Sequence, residues 1–391
     1  MQFETFPHYI GEMVEVSSFG RKFKAYLPPL LPLKPPIDIG KLTPKLERAT
    51  HALDQLNGMN KLFPGTPAFL NSFIRQEAIQ SSQIENIPAS LSDLLLYEIG
   101  HVPEMLLDDA EEVSSYVAAL AHGLARMENG FPLSQRLMRE MHGTLLSTKR
   151  GINKDPGEYR RSQNWIGGPS LEHAKYVPPP ATHVLDLMSN LERFIHDGHS
   201  DIPVLVQAGI LHVQFEMIHP FMDGNGRLGR LLIILLLYER GFLKEPLLYL
   251  SLFFNAHRWE YYALLERVQT HGDWQLWLGF FLDGVLKTAK NATMTAMKLL
   301  DLFDKDQERI RSFGGSNKST LRVHLEFQQQ PFLTASLTAD RAGISLPTAR
   351  KAIRHLEDIG IVREVTGKPR NQIFIYEEYM KILMEGTATG G

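Results

Sequence analysis

The chain has 391 residues, of which 43% are hydrophobic and 22% are charged. At roughly 100 to 200 residues per domain, this length predicts two or three domains. The composition excludes global disorder, a collagen-like repeat and a coiled-coil rod. A formal net charge of −3 excludes a general affinity for nucleic acids or membranes, although a local basic patch remains compatible with it. The absence of cysteine excludes disulfides, thiolate metal sites and a cysteine nucleophile.

No targeting segment is visible in the sequence. Residues 1–15 lack a cationic start and an apolar run, so they do not resemble a signal peptide. The most apolar stretch, residues 231–238, is too short for a bilayer, which needs about 20 residues. We therefore expect a soluble, cytoplasmic protein.

The N-terminal part is predicted to be an irregular strap followed by helices. The first 40 residues are expected to lack regular structure, since prolines crowd residues 28–36 and favour an extended strap. Helical periodicity begins at Thr43, and a second helix is predicted from Pro67 to about Glu85. The glycine- and proline-rich segment 151–180 predicts an exposed hairpin.

Helices are predicted to dominate again up to about residue 300. Residues 312–319 are small and polar and predict a linker, while residues 385–391 predict a frayed tail. The expected domains follow from these changes in pattern. They are a strap with helices at 1–110, a helical core at 111–290, a connecting helix with the linker at 291–325, and a small module with the tail at 326–391.

A glycine-rich turn opening a helix, residues 219–230, carries the clearest chemistry. Such a turn presents free N–H groups to an anion. Asp223 offers a hard oxygen ligand for Mg²⁺, and His219 can act as a base near neutral pH. Arg227 and Arg230 lie three residues apart, on one helix face. These parts suit displacement at phosphorus; the alternative is a surface turn beside a core histidine.

The string of residues 219–230 resembles the Fic-domain motif, H-x-F-x-D/E-G-N-G-R-x-x-R, at every specified position. The resemblance implies a mainly α fold, with a Fic-type helical core and a β-hairpin flap, and transfer of AMP from ATP to a protein hydroxyl. It implies that His219 deprotonates the hydroxyl, that Phe221 anchors the loop and that Asp223 holds Mg²⁺. The implied ATP-binding residues of the loop are Asp223, Gly224, Asn225, Gly226, Arg227, Leu228, Gly229 and Arg230. Doc-like kinases of the same fold have lysine in place of Gly226, and this chain lacks that departure. Phosphocholine transfer, which some family members catalyse, stays an alternative.

Two further segments fit the resemblance. Residues 157–168 look like the family's flap, which holds the target segment by strand pairing; an ordinary surface hairpin is the alternative. The flap residues implied are Asn164, Trp165, Ile166 and Gly167. Residues 250–262 look like the segment that surrounds the adenine and ribose. Its implied ATP contacts are Asn255, Tyr261 and Tyr262, with core packing of the aromatic rings as the alternative.

An inhibitory motif precedes the core. Ser81, Glu85 and Asn86 match the family pattern S/T-x-x-x-E-G/N, and the first two lie one helical turn apart on one face. The resemblance implies that Glu85 pairs with Arg230 and blocks the seat of the γ-phosphate, which also places Glu85 at the ATP site. The alternative is that Glu85 pairs with a surface arginine.

The C-terminal module resembles a winged helix. Gly343 suits the turn between two helices, and Ser345 can cap the second one. Residues 361–365 and 372–376 are predicted as strands around a basic wing tip. The outward basic residues that suit DNA are Arg350, Lys351, Arg354, Lys368 and Arg370. The basic surplus of residues 331–383 is small, so protein binding or dimerisation stays open.

The combined prediction is a protein adenylyltransferase that uses ATP and Mg²⁺, modifies a serine, threonine or tyrosine hydroxyl of a target protein or of itself, and is autoinhibited by Glu85. The expected partners are the target protein, DNA at the winged helix and a second copy of the chain, but no membrane. The alternative from another class is a DNA-binding transcription regulator whose Fic core senses nucleotide. The intact His219 disfavours that alternative, because sensing needs no base.

Overall fold

A computed structural model of the chain describes residues 10–18, 21–59, 70–197, 201–313 and 317–385. These residues are mainly helical, which confirms the predicted fold class. The helices are α1 Thr43–Met59, α2 Leu70–Ile84, α3 Leu91–Glu98, α4 Leu107–Glu128, α5 Gln135–Leu145, α6 Val184–His196, α7 Val204–Ile218, α8 Asn225–Glu239, α9 Ser251–Ala256, α10 Arg258–His271, α11 Trp274–Ser312, α12 Asn317–Gln329, α13 Ala335–Ala342, α14 Leu346–Asp358 and α15 Glu377–Glu385.

Two small antiparallel sheets flank the helices. Strands β1 (Glu12–Ser18) and β2 (Arg21–Leu27) form a hairpin with Val16 opposite Phe23. The prediction of an irregular start was therefore wrong for this part. The crowded run of prolines begins only at Pro28, and the residues of the two strands alternate polar with apolar, as strands do.

The second sheet belongs to the C-terminal module. Its strand order is β3-β5-β4, from β3 (Phe332–Thr334), β4 (Arg363–Glu364) and β5 (Ile373–Ile375). Gly343 adopts a left-handed conformation between α13 and α14, and the Ser345 side chain accepts the N–H of Thr348. The predicted winged helix-turn-helix is confirmed.

The centre of the core is made by α7 and α8. Both helices are buried along almost their whole length, because their apolar residues surround the axis and do not form a single stripe. The loop between them, residues 219–224, therefore starts and ends on rigid elements. Such elements hold a site more precisely than a free loop does.

Three predicted boundaries touch residues outside the described ranges. The predicted helix start at 67 lies outside them, since α2 is described from Leu70. Residues 314–316 of the predicted linker also lie outside, and the structure continues α11 to Ser312 and begins α12 at Asn317. The predicted tail is described only at Glu385. The domain boundaries themselves stay predictions.

The winged helix packs against α2 and α11. The hydroxyls of Ser72 in α2 and Tyr379 in α15 lie 2.8 Å apart. Tyr376 donates to the buried Asp306 carboxylate of α11 at 2.6 Å. Through these bonds the C-terminal module is attached both to the long helix and to the helix that precedes Glu85. None of the described helices is long and apolar enough to cross a membrane.

Candidate functional site

The turn between α7 and α8 is formed by two residues in the left-handed region. His219 ends α7 with φ 48°, and Gly224 precedes α8 with φ 73°. The first-turn N–H groups of a helix have no intrahelical partner, so Asn225, Gly226 and Arg227 present their amides at the start of α8. The resulting turn has the geometry of an anion cradle, at the positive end of the helix dipole.

The side chain of Asn225 is used to shape the turn. Its amide accepts the Phe221 N–H and donates to the Phe221 carbonyl, both at 2.9 Å. Asn164 from the flap segment donates to the same carbonyl at 3.0 Å. The side chains of two predicted site residues thus hold the backbone of the loop, and only the main-chain amides remain for the predicted phosphate cradle.

A buried arginine that sequence reasoning missed holds the other half of the turn. Arg160 is 2% exposed and donates to the carbonyls of His219 at 2.8 Å and Pro179 at 2.5 Å. Its own N–H donates to the Pro220 carbonyl at 2.9 Å. Burial lowers its pKa to about 10, so the side chain stays charged at neutral pH. Arg160 ties the flap segment to the residues around His219.

His142 of α5 is a second residue that the sequence did not reveal, and it contacts both the side chain and the backbone of the loop. Its ring stacks on Phe221 with centroids 3.7 Å apart. Since Nδ1 accepts the Gly157 N–H at 2.8 Å, Nε2 carries the proton and donates to the Asp223 carbonyl at 3.0 Å. Burial lowers the pKa of His142 to about 4, which keeps this tautomer neutral. The ring therefore fixes the backbone that carries the predicted metal ligand.

His219 combines access with a suitable protonation state. Its side chain is half-buried and lines a cleft of about 320 Å³, together with Asp223 and the first turn of α8. Burial, and then the positive charge of Arg160, lower the pKa of His219 to about 4. The imidazole is consequently neutral at pH 7 and able to accept a proton.

Arg230 is buried and makes three hydrogen bonds to the helix α2 and its end. It donates to the hydroxyl of Ser81 at 2.8 Å, to the Ser81 carbonyl at 2.9 Å and to Oε1 of Glu85 at 2.8 Å. Arg230 is 2% exposed, whereas the Glu85 side chain is 35% exposed at the cleft. The structure thus brings together the three predicted residues Ser81, Glu85 and Arg230. Their inhibitory role stays a prediction.

Gly226 lies directly against Glu85. A Cβ atom built on Gly226 would lie 2.2 Å from Oε1 of Glu85 and 3.2 Å from Nη1 of Arg230. Cβ atoms do not approach other atoms so closely, so any larger residue at position 226 would force the Glu85 carboxylate to shift from its present position beside Arg230.

Arg227 has a buried counter-ion that the sequence did not reveal. Its Nη1 lies 2.6 Å from Oε2 of Glu112 in α4, and both side chains are at most 5% exposed. The other carboxylate oxygen of Glu112 accepts the Thr148 hydroxyl at 2.5 Å. The guanidinium of Arg227 is therefore held in one orientation at the wall of the cleft.

The remaining loop residues face the core. Leu228 is fully buried, and its N–H donates to the Gly224 carbonyl at 3.0 Å, so this amide is already used. A Cβ on Gly229 would lie 2.5 Å from a carboxyl oxygen of Glu216. Burial raises the pKa of Glu216 to about 8, which favours its neutral form at pH 7. Gly229 thus makes room for a carboxyl group behind the loop.

The predicted adenine contacts divide between the core and the surface. Tyr261 is 1% exposed and its hydroxyl lies 2.8 Å from Nε2 of His212, so its ring belongs to the core. Tyr262 is 41% exposed and donates to the Ile84 carbonyl at 3.4 Å. Of the two tyrosines, the structure leaves Tyr262 accessible to a ligand.

Asn255 and Asn86 connect this segment to α2 and its end. Asn255 donates to the side-chain carbonyls of Gln80 at 2.9 Å and Gln83 at 3.1 Å. Asn86 has a φ of 62° and accepts from Arg258 at 2.9 Å. The end of α2 is thus bonded on one side to α8 through Arg230 and on the other to α9 and α10.

The flap is smaller than predicted. In place of a full hairpin it contains one antiparallel bridge, between Ile166 and Tyr176, followed by Gly167 in the left-handed region. Trp165 and Ile166 are 42% and 37% exposed. Glycines and prolines around the bridge prevent a longer ladder, and the exposed apolar pair leaves a surface next to the loop.

The basic residues of the winged helix are exposed as predicted. On α14 these are Arg350, Lys351 and Arg354, and at the wing tip Lys368 and Arg370. All of them belong to the C-terminal module and none lines the cleft of His219.

Three parts of the chain match known domain families. Residues 43–125 match the Fic/DOC family N-terminal domain, residues 132–237 match the Fic/DOC family domain, and residues 316–363 match the family of winged helix-turn-helix DNA-binding domains. The first two matches include Glu85 and the whole loop from His219 to Arg230.

Curated relatives align with part of this chain. Proteins named Protein adenylyltransferase Fic from Drosophila melanogaster and Drosophila ananassae are 28% and 29% identical to it over 183 residues. The alignment covers 46% of this chain and 34% of each relative. The chain thus spans about a third of the length of these relatives.

Solved structures share the fold. A Fic family protein from Desulfovibrio desulfuricans G20 is 22% identical with a TM-score of 0.56, over 88% of this chain and 98% of that one. Fic-1 from C. elegans is 20% identical with a TM-score of 0.51, over 67% and 75% of the two chains. The chain therefore carries the N-terminal and core domains of the Fic/DOC family, followed by a winged helix-turn-helix domain.

Proposed function

We propose that the protein transfers AMP from ATP to a serine, threonine or tyrosine hydroxyl of a target protein, and to its own chain. The observation that supports this most directly is one cleft that joins a neutral His219, the exposed carboxylate of Asp223 and the amide-rich start of α8. The name of the Drosophila relatives agrees with this activity.

The chain's own groups account for the chemical step. The imidazole of His219 takes the proton of the target hydroxyl while its oxygen forms a bond to the α-phosphorus. The bond from that phosphorus to the bridging β-oxygen breaks, and pyrophosphate leaves with the electron pair. The amides at the start of α8 and the guanidinium of Arg227 stabilise the phosphate oxygens as their charge develops.

Asp223 fits a magnesium ion that arrives with the nucleotide. Its side chain is exposed, and one carboxylate oxygen accepts the Gly224 N–H at 2.6 Å. Mg²⁺ is usually held by one or two carboxylates together with phosphate oxygens and water, so a single aspartate beside a bound nucleotide suits it. When bound there, Mg²⁺ would neutralise phosphate charge.

Glu85 restrains this activity in the proposal. Its carboxylate and the Ser81 hydroxyl accept hydrogen bonds from the guanidinium of Arg230. The guanidinium is then unavailable to the γ-phosphate. A triphosphate can seat fully only after Glu85 has left Arg230.

Transfer from differently labelled ATP tests the activity. In heat-treated lysate, whose own kinases are inactive, the Glu85→Gly variant with ATP labelled at the α-phosphate should give labelled protein bands, whereas ATP labelled at the γ-phosphate should give none. His219→Ala should abolish the bands, and His122→Ala, a histidine of α4 that pairs with Glu140, should leave them unchanged. Label from the γ-phosphate alone would show a kinase instead and contradict the proposal.

A second candidate activity, DNA binding, rests on the winged helix. The exposed Arg350 and Arg354 are one helical turn apart on α14, where a recognition helix carries its basic residues. Retention of genomic fragments on a filter should be lost in the double variant Arg350→Glu/Arg354→Glu. If the core only senses nucleotide for a transcription regulator, ATP should change DNA retention equally in the wild type and in His219→Ala.

A further inference from the structure

Besides Arg227, the cleft of His219 is lined by a second arginine, which lies outside the glycine-rich loop. Arg150 follows α5 and lines the cleft together with Asp223 and Arg227. Its guanidinium bonds Asp109 at 2.5 Å and lies 3.7 Å from Asp108, both in the first turn of α4. The side chain of Arg150 is 52% exposed.

The arginines of this region differ in how firmly their carboxylates hold them. The pair of Arg227 and Glu112 is buried, and separating it would leave an unpaired charge without water. The pair of Arg150 with Asp109 is largely exposed on the arginine side, and exposed pairs contribute little stability. Arg150 can therefore exchange its carboxylate for another anion at small cost.

The charges of the cleft favour such an exchange. Glu85, Glu112 and Asp223 all line it, so that negative groups surround the place of an anionic ligand. Arg227 is already paired with one of them, and Arg230 with another. Arg227 can still contact a phosphate from its fixed position, but its charge is balanced by Glu112, so a polyphosphate needs a further positive group. Arg150 can supply it without breaking a buried pair.

We propose that Arg150 is a phosphate-binding residue of this cleft, which releases Asp109 and donates to the phosphates of a bound nucleotide. Asp109 then acts as a competitor that holds the guanidinium while the cleft is empty of anion. This inference rests on the proposed function, because it takes the nucleotide of that function as the ligand.

Calorimetric titration of the full chain with Mg-ATP and with adenosine tests the proposal. Arg150→Ala should weaken ATP binding by about tenfold or more, the usual effect of one lost hydrogen bond to a charged group. Asp109→Asn should strengthen ATP binding by about two- to fivefold, since it removes the competitor. Adenosine has no phosphate, so its affinity should not change in either variant.

Matched variants separate this effect from damage to the fold. Arg136→Ala removes an arginine that is 73% exposed and paired with Glu140 away from the cleft, and should leave ATP binding unchanged. An unchanged ATP affinity in Arg150→Ala, or weaker ATP binding in Asp109→Asn, would overturn the proposal. ATP binding without AMP transfer in Glu85→Gly, in which the restraint is removed, would refute the proposed function alone, whereas a Glu85→Gly variant that binds no ATP would refute both.

Discussion

Oε1 of Glu85 lies 2.8 Å from Nη2 of Arg230, although the two residues are 145 positions apart in the chain. The arginine is buried, so this contact satisfies a charge that water cannot reach. The carboxylate itself remains partly exposed at the cleft, where an incoming phosphate can compete with it. The strength of this one contact should therefore control how well the cleft accepts a triphosphate.

Replacement of Glu85 should activate the protein. A hydrogen bond to a charged group contributes roughly 1.5 to 3 kcal/mol, so Glu85→Gly should improve productive ATP binding by about 10- to 150-fold. Better alignment of the α-phosphorus should add to this gain. The measurement is the initial rate of labelled AMP incorporation, including self-modification. Arg230→Ala should not reproduce the gain, because it also removes the phosphate's partner, and an unchanged rate in Glu85→Gly would refute autoinhibition.

Loss of His219 should abolish transfer without loss of nucleotide binding. A positioned general base typically contributes about 10²- to 10⁴-fold, and the amides that hold the phosphates do not depend on the imidazole. We expect His219→Ala, in the Glu85→Gly background, to lose the rate by that factor while the calorimetric Kd for ATP stays the same. A double variant that keeps the activity of Glu85→Gly would contradict the assignment.

The pH dependence of the rate should show that the base is already neutral. With the pKa of His219 lowered to about 4 by burial, the imidazole carries no proton to lose between pH 6 and pH 8. Initial rates in this range should therefore show no inflection near 6.5, the ordinary pKa of histidine. An inflection there would mean that the ring is as hydrated as a free imidazole.

Substitution of Asp223 should raise the demand for metal. It is the single carboxylate between positions 219 and 230, so Asp223→Ala should weaken turnover, and a higher Mg²⁺ concentration should restore part of it. Asp223→Glu keeps the charge and should need less added Mg²⁺ than the alanine variant. Full activity of the wild type in excess chelator would rule out the metal.

Folding stability should fall as the pH drops below about 6.5. Burial lowers the pKa of His212 to about 3 and that of His324 to about 4, so the unfolded chain binds more protons between these values and 6.5. Each such histidine lowers the unfolding free energy by about 1.4 kcal/mol per pH unit in this window. Burial raises the pKa of Glu216 to about 8, so the folded chain binds one more proton there than the unfolded chain between pH 4.5 and pH 8. This single group opposes the trend of the histidines. Urea midpoints at pH 7 and pH 5 should show the loss, and His212→Gln should reduce it.

Local sequence patterns predicted the features of the fold that depend only on residues close together in the chain. The left-handed Gly343, the Ser345 cap and the helix that begins beside Gly224 depend on neighbours a few residues away. Glu85 and Arg230, by contrast, are 145 positions apart in the sequence. Only the resemblance to a family predicted that they pair.

The residues that sequence reasoning missed act through the backbone or through distant partners. Arg160 and His142 bind carbonyl and amide groups of loops, which leave no pattern of complementary side chains. Glu112 meets Arg227 only because α4 packs beside α8, a contact that no spacing in the sequence encodes. The prolines of residues 28–36 restrict only their own neighbourhood, so they do not prevent the hairpin that precedes them.

The close approach of Gly226 to Glu85 links two positions in evolution. A side chain larger than hydrogen at 226 would push the carboxylate from its present position beside Arg230, so the acid at position 85 and the glycine at position 226 depend on each other. Among homologous sequences, the two columns should therefore vary together: bulk at the position of Gly226 should be tolerated only in lineages that have already given up a glutamate at the position of Glu85.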